Sequence, residues 1–183
     1  MWRKFCGFLL KLFGWKAMEP TVPEDKCIIL GAPHTSIWDF AVAYLYYTSI
    51  GGKAYCMIKK EMFWGPLGWI LKKMGGLPID RSKGSKMILS VIKEMKSMDK
   101  VHLAIAPEGT RKATKRWKAG FHPIAREVGC PVYLGYFDWK TKQVGRGKKF
   151  ELTDDAKADL VRLQQEYEKL NLTGKHPEMY ITH

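Results

Sequence analysis

Three short apolar runs constrain this chain more than any other feature: CIILGA at Cys27 to Ala32, VHLAIA at Val101 to Ala106 and PVYLGYF at Pro131 to Phe137. Each is rich in β-branched, aliphatic or aromatic residues, too short for a buried helix, and almost unbroken in its hydrophobicity. That is the pattern of a strand covered on both faces. Helical spacing fills the gaps between them. From Ser85 to about Met98, Ile88, Val91, Ile92 and Met95 share one face; a second helix is expected over Phe121 to Val128 and a polar one from Asp154 to about Leu170. KAYCMI, GLPIDR and the region Lys148 to Leu152 add further strand candidates. Strands that alternate with helices in this way predict one α/β domain, a mostly parallel or mixed central sheet flanked by helices.

Length sets the domain count. With 183 residues, 46% of them hydrophobic, the chain can bury one core and is too short for two independent ones. Residues 1–18 read as an amphipathic helix, 24–173 as the domain proper after the break EPTVPEDK, and 174–183 as a loosely ordered tail. In the first segment Arg3, Lys4, Gly7, Lys11 and Gly14 form a narrow polar stripe, while Trp2, Phe5, Leu9, Leu12 and Phe13 cover the rest. A basic helix with such rings suits a membrane surface, and the same pattern also suits a helix packed on its own domain. No run reaches the roughly 18 to 20 apolar residues that span a bilayer. Between Lys60 and Met74 helical character is expected to break at Gly65-Pro66, and Met62, Phe63, Trp64, Leu67, Trp69 and Ile70 either face lipid or fill the core. Cys6, Cys27, Cys56 and Cys130 are far apart with no C-x-x-C pair, which reads as reduced thiols in a cytosolic protein and speaks against a zinc site.

A formal charge of +13, from 31 Lys and Arg against 18 Asp and Glu, favours anionic partners: nucleic acid, acidic lipid headgroups or phosphorylated small molecules. The chemistry-bearing residues narrow this. His34 follows the first strand in the run HTSIWD, with Asp39 five residues on. The carboxyl end of a strand is where α/β sheets build sites. A carboxylate held against one imidazole nitrogen leaves the other as a base for a hydroxyl, provided His34 precedes the helix and bends back over its first turn. Thr35 or Ser36 can cap that helix, which is expected to run through Ile50. The turn PEGTR, Pro107 to Arg111, leaves the strongest strand and concentrates an acid, a glycine, a hydroxyl and a guanidinium that suits phosphate. Arg81 ends another strand in IDR.

These motifs, HTSIWD, GLPIDR, PEGTR followed by WKAGF, and CPVYLGYF, stand in the order and approximate spacing of the glycerolipid acyltransferases. Over Cys27 to Asp138 the chain resembles the 1-acylglycerol-3-phosphate acyltransferase family. The resemblance implies that His34 is the general base and Asp39 its support, and that no covalent acyl-enzyme forms. Arg81, Glu108, Gly109, Thr110 and Arg111 would bind the glycerol phosphate, with Lys118 adding charge, and Pro131 and Val132 would shape the acyl region. It implies acyl-CoA or acyl carrier protein as donor, with no metal or other cofactor, and a glycerol-phosphate lipid acceptor, lysophosphatidate first. The short N-terminal helix and the excess of Lys and Arg point to an anionic membrane surface and a peripheral or monotopic position on the cytoplasmic face, while the basic run KATKRWK suits acidic lipid, the phosphates of coenzyme A or the acidic surface of a carrier protein alike. Other acceptors, such as an aminolipid or another lysolipid, and a non-catalytic basic membrane-binding module stay open. Nucleic acid is not expected, since no helix-turn-helix, zinc finger or RNP-like strand pattern is present.

Overall fold

The structure is a computed structural model that describes residues 1–80 and 84–182 of the chain. In chain order its elements are α1 (Trp2–Leu12), β1 (Lys16–Ala17), β2 (Lys26–Ala32), α2 (Trp38–Ser49), β3 (Ala54–Lys59), a 3-10 turn (Lys60–Met62), α3 (Gly65–Lys73) and β4 (Gly76–Ile79). They continue as α4 (Ser85–Ser97), β5 (Val101–Ile105), α5 (Phe121–Val128), β6 (Val132–Asp138), β7 (Gln143–Gly145), β8 (Lys149–Phe150), α6 (Ala156–Lys169) and a second 3-10 turn (Pro177–Met179).

Along β2 the side chains alternate between two buried faces: Ile28, Leu30 and Ala32 on one, Cys27 and Ile29 on the other. A strand apolar on both sides needs cover on both sides, and here it has it. On the first face, Leu103, Val132 and Leu134 join the helical residues Val91, Ile92, Met95, Phe121, Ile124, Leu163 and Tyr167 from α4, α5 and α6. On the second, Tyr133 and Phe137 meet Leu10 of α1 and Val42, Tyr46 and Tyr47 of α2. The expected α/β domain with a flanked mixed sheet and an N-terminal helix is therefore what forms. β2 is central, parallel to β5 on one side and to β6 on the other. Beyond β5 lie β3 and β4, also parallel. β7 and β8 run antiparallel to β6, and β1 adds a parallel pair to β7.

Three local expectations need correction, and two short strands were not anticipated. Gly65-Pro66 does not break a helix; it starts α3, with proline in the first turn where its missing N–H costs nothing. β1 and β7, of two and three residues, were too short to show alternation. The helix after the first strand begins at Trp38 with no side-chain cap on its N-cap residue, Ile37; Ser36 Oγ instead accepts the Trp38 N–H at 3.3 Å. The segment after Gly174 is also far from loose. His176 N–H donates to Thr35 Oγ1 at 3.2 Å, and the Ile181 carbonyl accepts the Trp117 indole at 2.9 Å. Gly174 itself fits because a Cβ there would meet Thr35 at 2.8 Å.

Helix α1 packs on the domain with one face and leaves the other to solvent. Cys6 and Leu10 are buried, Arg3 Nε donates to the Ser49 carbonyl at 2.9 Å, and a Cβ at Gly7 would lie 3.5 Å from that of Ser49, so one face packs on α2. Trp2, Phe5, Phe8, Leu12 and Phe13 stay exposed.

Candidate active site

Parallel strands share a polarity, so the carboxyl ends of β2, β3, β4, β5 and β6 lie along one edge of the sheet. β2 delivers His34 to that edge, β5 delivers the PEGTR turn, and β6 delivers Asp138 and Trp139. Arg81 follows β4 but lies outside the described residues.

His34 sits four residues ahead of α2, free of helical constraint, and its Nδ1 faces Asp39 Oδ2 at 3.4 Å. That is an ion-pair distance and longer than a good hydrogen bond; such contacts tighten when a substrate closes the site. Asp39, in the first turn of α2, is fully buried. A buried carboxylate needs donors, and Oδ2 accepts the Thr35 and Ser36 N–H groups at 2.8 Å each while Oδ1 accepts the Trp139 indole N–H at 2.8 Å. The His34 side chain is 26% exposed, and no described residue bonds to its Nε2.

Glu108 turns inward. It is buried, and its Oε1 accepts the His34 backbone N–H at 2.7 Å, which ties the PEGTR turn to the HTSIWD turn. Burial pushes its carboxyl from the ordinary 4.5 up to about 7, against the opposing pull of the backbone N–H groups of His34 and of Glu108 itself. Its Oε2 and the Tyr180 hydroxyl are both buried without a partner among the described residues. Burial raises Tyr180 as well, and the nearby Glu108 charge adds to the effect.

The remaining residues singled out from sequence line the outer side of the turn. Gly109 has φ +67, and a Cβ there would come within 3.0 Å of Lys118 Cγ. Thr110 Oγ1 accepts the Lys112 N–H at 3.2 Å, and Lys118 N–H donates to the Pro107 carbonyl at 2.7 Å, folding the WKAG segment back on PEGTR. Arg111 and Lys118 are both exposed. His34 thus meets both Asp39 and Glu108, with Gly109, Thr110, Arg111 and Lys118 gathered beside Glu108. Trp139 was not anticipated: it lies 100 positions from its partner, and nothing local marks an indole as a carboxylate ligand. No described thiol competes as a nucleophile. Cys6, Cys27 and Cys130 are buried, and burial pushes Cys56 and Cys130 up to about 11, leaving both protonated near neutral pH.

Comparison with known proteins agrees with this layout. A search of curated protein sequences finds no match. Among solved structures, the chain is similar to the 1-acyl-sn-glycerophosphate (LPA) acyltransferase PlsC from Thermotoga maritima, with a TM-score of 0.59 at 17% identity, over 92% of this chain and 78% of that one. At that identity the likeness concerns the fold. Residues 17–133, which include β2 to β5, the HTSIWD run and the PEGTR turn, match the Acyltransferase family. With well over half its length matched, the chain belongs to the Acyltransferase family.

Proposed function

We propose that this acyltransferase moves a fatty acyl group from the thioester of acyl-CoA or acyl carrier protein to the hydroxyl of a glycerol-phosphate lipid precursor, lysophosphatidate first, at an anionic membrane surface. One observation carries the reading: His34 stands at the sheet's active edge with Nδ1 against a buried carboxylate and Nε2 open, beside a turn that presents Arg111. In this mechanism His34 Nε2 takes the proton of the acceptor hydroxyl as its oxygen attacks the thioester carbonyl. The oxyanion collapses, the C–S bond breaks, and the imidazolium proton passes to the departing thiolate. Asp39 stabilises the imidazolium while it exists. Arg111, with Arg81 and Lys118, holds the acceptor phosphate, for which a planar guanidinium is well shaped.

The surface supports a membrane position on the cytoplasmic face, peripheral or monotopic. Among the described residues no helix is long and apolar enough to cross a membrane. Large apolar side chains are instead exposed: Ile37 and Trp38 in the HTSIWD run with His34, Met62 and Trp64 just beyond the carboxyl end of β3, and Leu67, Trp69 and Ile70 along α3. Together with the exposed face of α1 and the charge of +13, they match an interfacial protein on acidic lipid.

The test is acyl transfer by purified protein, offering labelled acyl-CoA and, separately, acyl carrier protein against glycerol phosphate, lysophosphatidate and an aminolipid. Phosphatidate from lysophosphatidate is expected. Acylation of the phosphate-free acceptor alone would overturn the assignment to Arg111. Replacing Phe5, Phe8 and Phe13 by Ser, which spares Cys6 and Leu10, is expected to release the protein from vesicles containing phosphatidylglycerol; undiminished binding would remove α1 from the membrane contact.

A further inference from the structure

Asp39 can support His34 only in one orientation, and the structure shows what sets it. Its Oδ2 is taken by the Thr35 and Ser36 N–H groups and faces His34, so rotation about the carboxylate is decided at Oδ1. The one described side chain that bonds to Oδ1 is Trp139, through its indole N–H at 2.8 Å. We infer that Trp139 is a positioning residue of the transfer reaction: its indole N–H pins Asp39, and Asp39 in turn aims and supports His34.

Trp139 is itself held from three sides, as a residue with this task must be. Its backbone N–H donates to the Thr173 carbonyl at 2.9 Å, and the neighbouring Asp138 Oδ1 accepts the Thr173 N–H at 3.2 Å. Trp15 meets its ring edge-on, with centroids 5.0 Å apart and planes at 86°. Lys142 and Lys175 lie over the ring at 4.6 and 5.1 Å, and Lys175 also covers Trp38 of the HTSIWD run itself. A ring fixed by a strand end, a second indole and two cations cannot swing away from the carboxylate. The C-terminal segment belongs to the same device. Thr173 locks the Trp139 backbone, and three residues on, His176 N–H engages Thr35, whose own N–H feeds Asp39.

Removing the indole N–H leaves a buried charged oxygen unpaired, so Asp39 rotates toward other donors, and the imidazolium loses its aligned counter-charge. None of the contacts that Trp139 makes involves Arg111 or Lys118. In Trp139→Phe, which keeps an aromatic ring, kcat is therefore expected to fall about tenfold, equivalent to about 1.4 kcal/mol on the barrier, while KM for donor and acceptor stays unchanged. An unchanged kcat, or a loss confined to KM, in folded protein overturns the inference. Where Trp139→Phe fails to fold, the wild-type protein decides through its ¹⁵N-labelled indoles. The Trp139 indole proton is expected to exchange slowly and to move upfield in Asp39→Asn; exchange as fast as that of exposed Trp64 and Trp69, with no response in Asp39→Asn, overturns it. The inference rests on His34 acting as the base, so His34→Ala is assayed alongside. Activity that survives in His34→Ala defeats both readings, whereas a dead His34→Ala beside an unimpaired Trp139→Phe defeats this one alone.

Discussion

The molecule contains two histidine–aspartate pairs with nearly the same separation and opposite fates. His34 Nδ1 lies 3.4 Å from Asp39, and His122 Nε2 lies 3.2 Å from Asp159; both carboxylates are fully buried. His34 stands at the carboxyl edge of the sheet with 26% of its side chain exposed, whereas His122, in the first turn of α5, has 8%. The nitrogen that His122 turns to Asp159 is also 3.0 Å from the Thr153 carbonyl. Asp159 is saturated by the Thr153 N–H, the Thr153 hydroxyl and the Arg162 guanidinium. Burial works against its charge, and these donors more than offset it, so the carboxyl sits below its ordinary value. One pair ties α5 to α6; the other leaves Nε2 without a described partner on a part-exposed side chain at the carboxyl edge of the sheet. Distance between a histidine and a carboxylate therefore says little about catalysis. What matters is which nitrogen is left over and where it points.

Mutating the two carboxylates is the sharpest way to break that contrast. Asp39→Asn is expected to lower the transfer rate by about a hundredfold or more, because a neutral amide cannot balance the imidazolium. Asp159→Asn should leave kcat per folded molecule intact and cost about 2 kcal/mol of stability, read as a drop in the urea midpoint. Equal effects of the two on rate would erase the distinction.

Glu108 extends the comparison to pH. Its folded-state carboxyl titrates at about 7 against an ordinary 4.5, so the folded chain holds a proton there that the unfolded chain has already lost. The sign follows: stability at this residue is greatest below about pH 4.5 and declines as the pH rises to about 7, by roughly 3 kcal/mol across the window. Glu108→Gln, which can still accept the His34 N–H, should flatten this part of the stability–pH curve. An identical slope in wild type and variant would show that burial does not hold this carboxyl protonated. The smallest effect is expected on the exposed side of the turn. Arg111→Ala should raise the acceptor KM by about tenfold with little change in kcat, since a phosphate grip acts alike on ground state and transition state. A change in donor KM alone would move Arg111 to the donor site.

Much of this was readable from local pattern. CIILGA, VHLAIA and PVYLGYF announce three adjacent strands of the sheet, and the chemistry-bearing turns follow two of them directly, so the placement of His34 and Glu108 at one edge needed only the rule that parallel strands share an active end. What escaped reading was decided by contacts distant in sequence. Trp139 finds Asp39 across 100 positions, the tail finds Thr35 across 141, and Glu108 chooses the His34 N–H across 74. No periodicity records such choices. β1 and β7 escaped for a different reason: two or three residues carry no alternation, and β7 exists because β6 offers it an edge, as β7 in turn does for β1.

The most direct measurement is acyl transfer from labelled acyl-CoA to lysophosphatidate by wild type, His34→Ala and His122→Ala, each corrected for the folded fraction. Wild type and His122→Ala are expected to turn over at similar rates, with His34→Ala lower by about a thousandfold. Comparable losses in the two variants, or turnover that persists without His34, would contradict the assignment of His34 as the base.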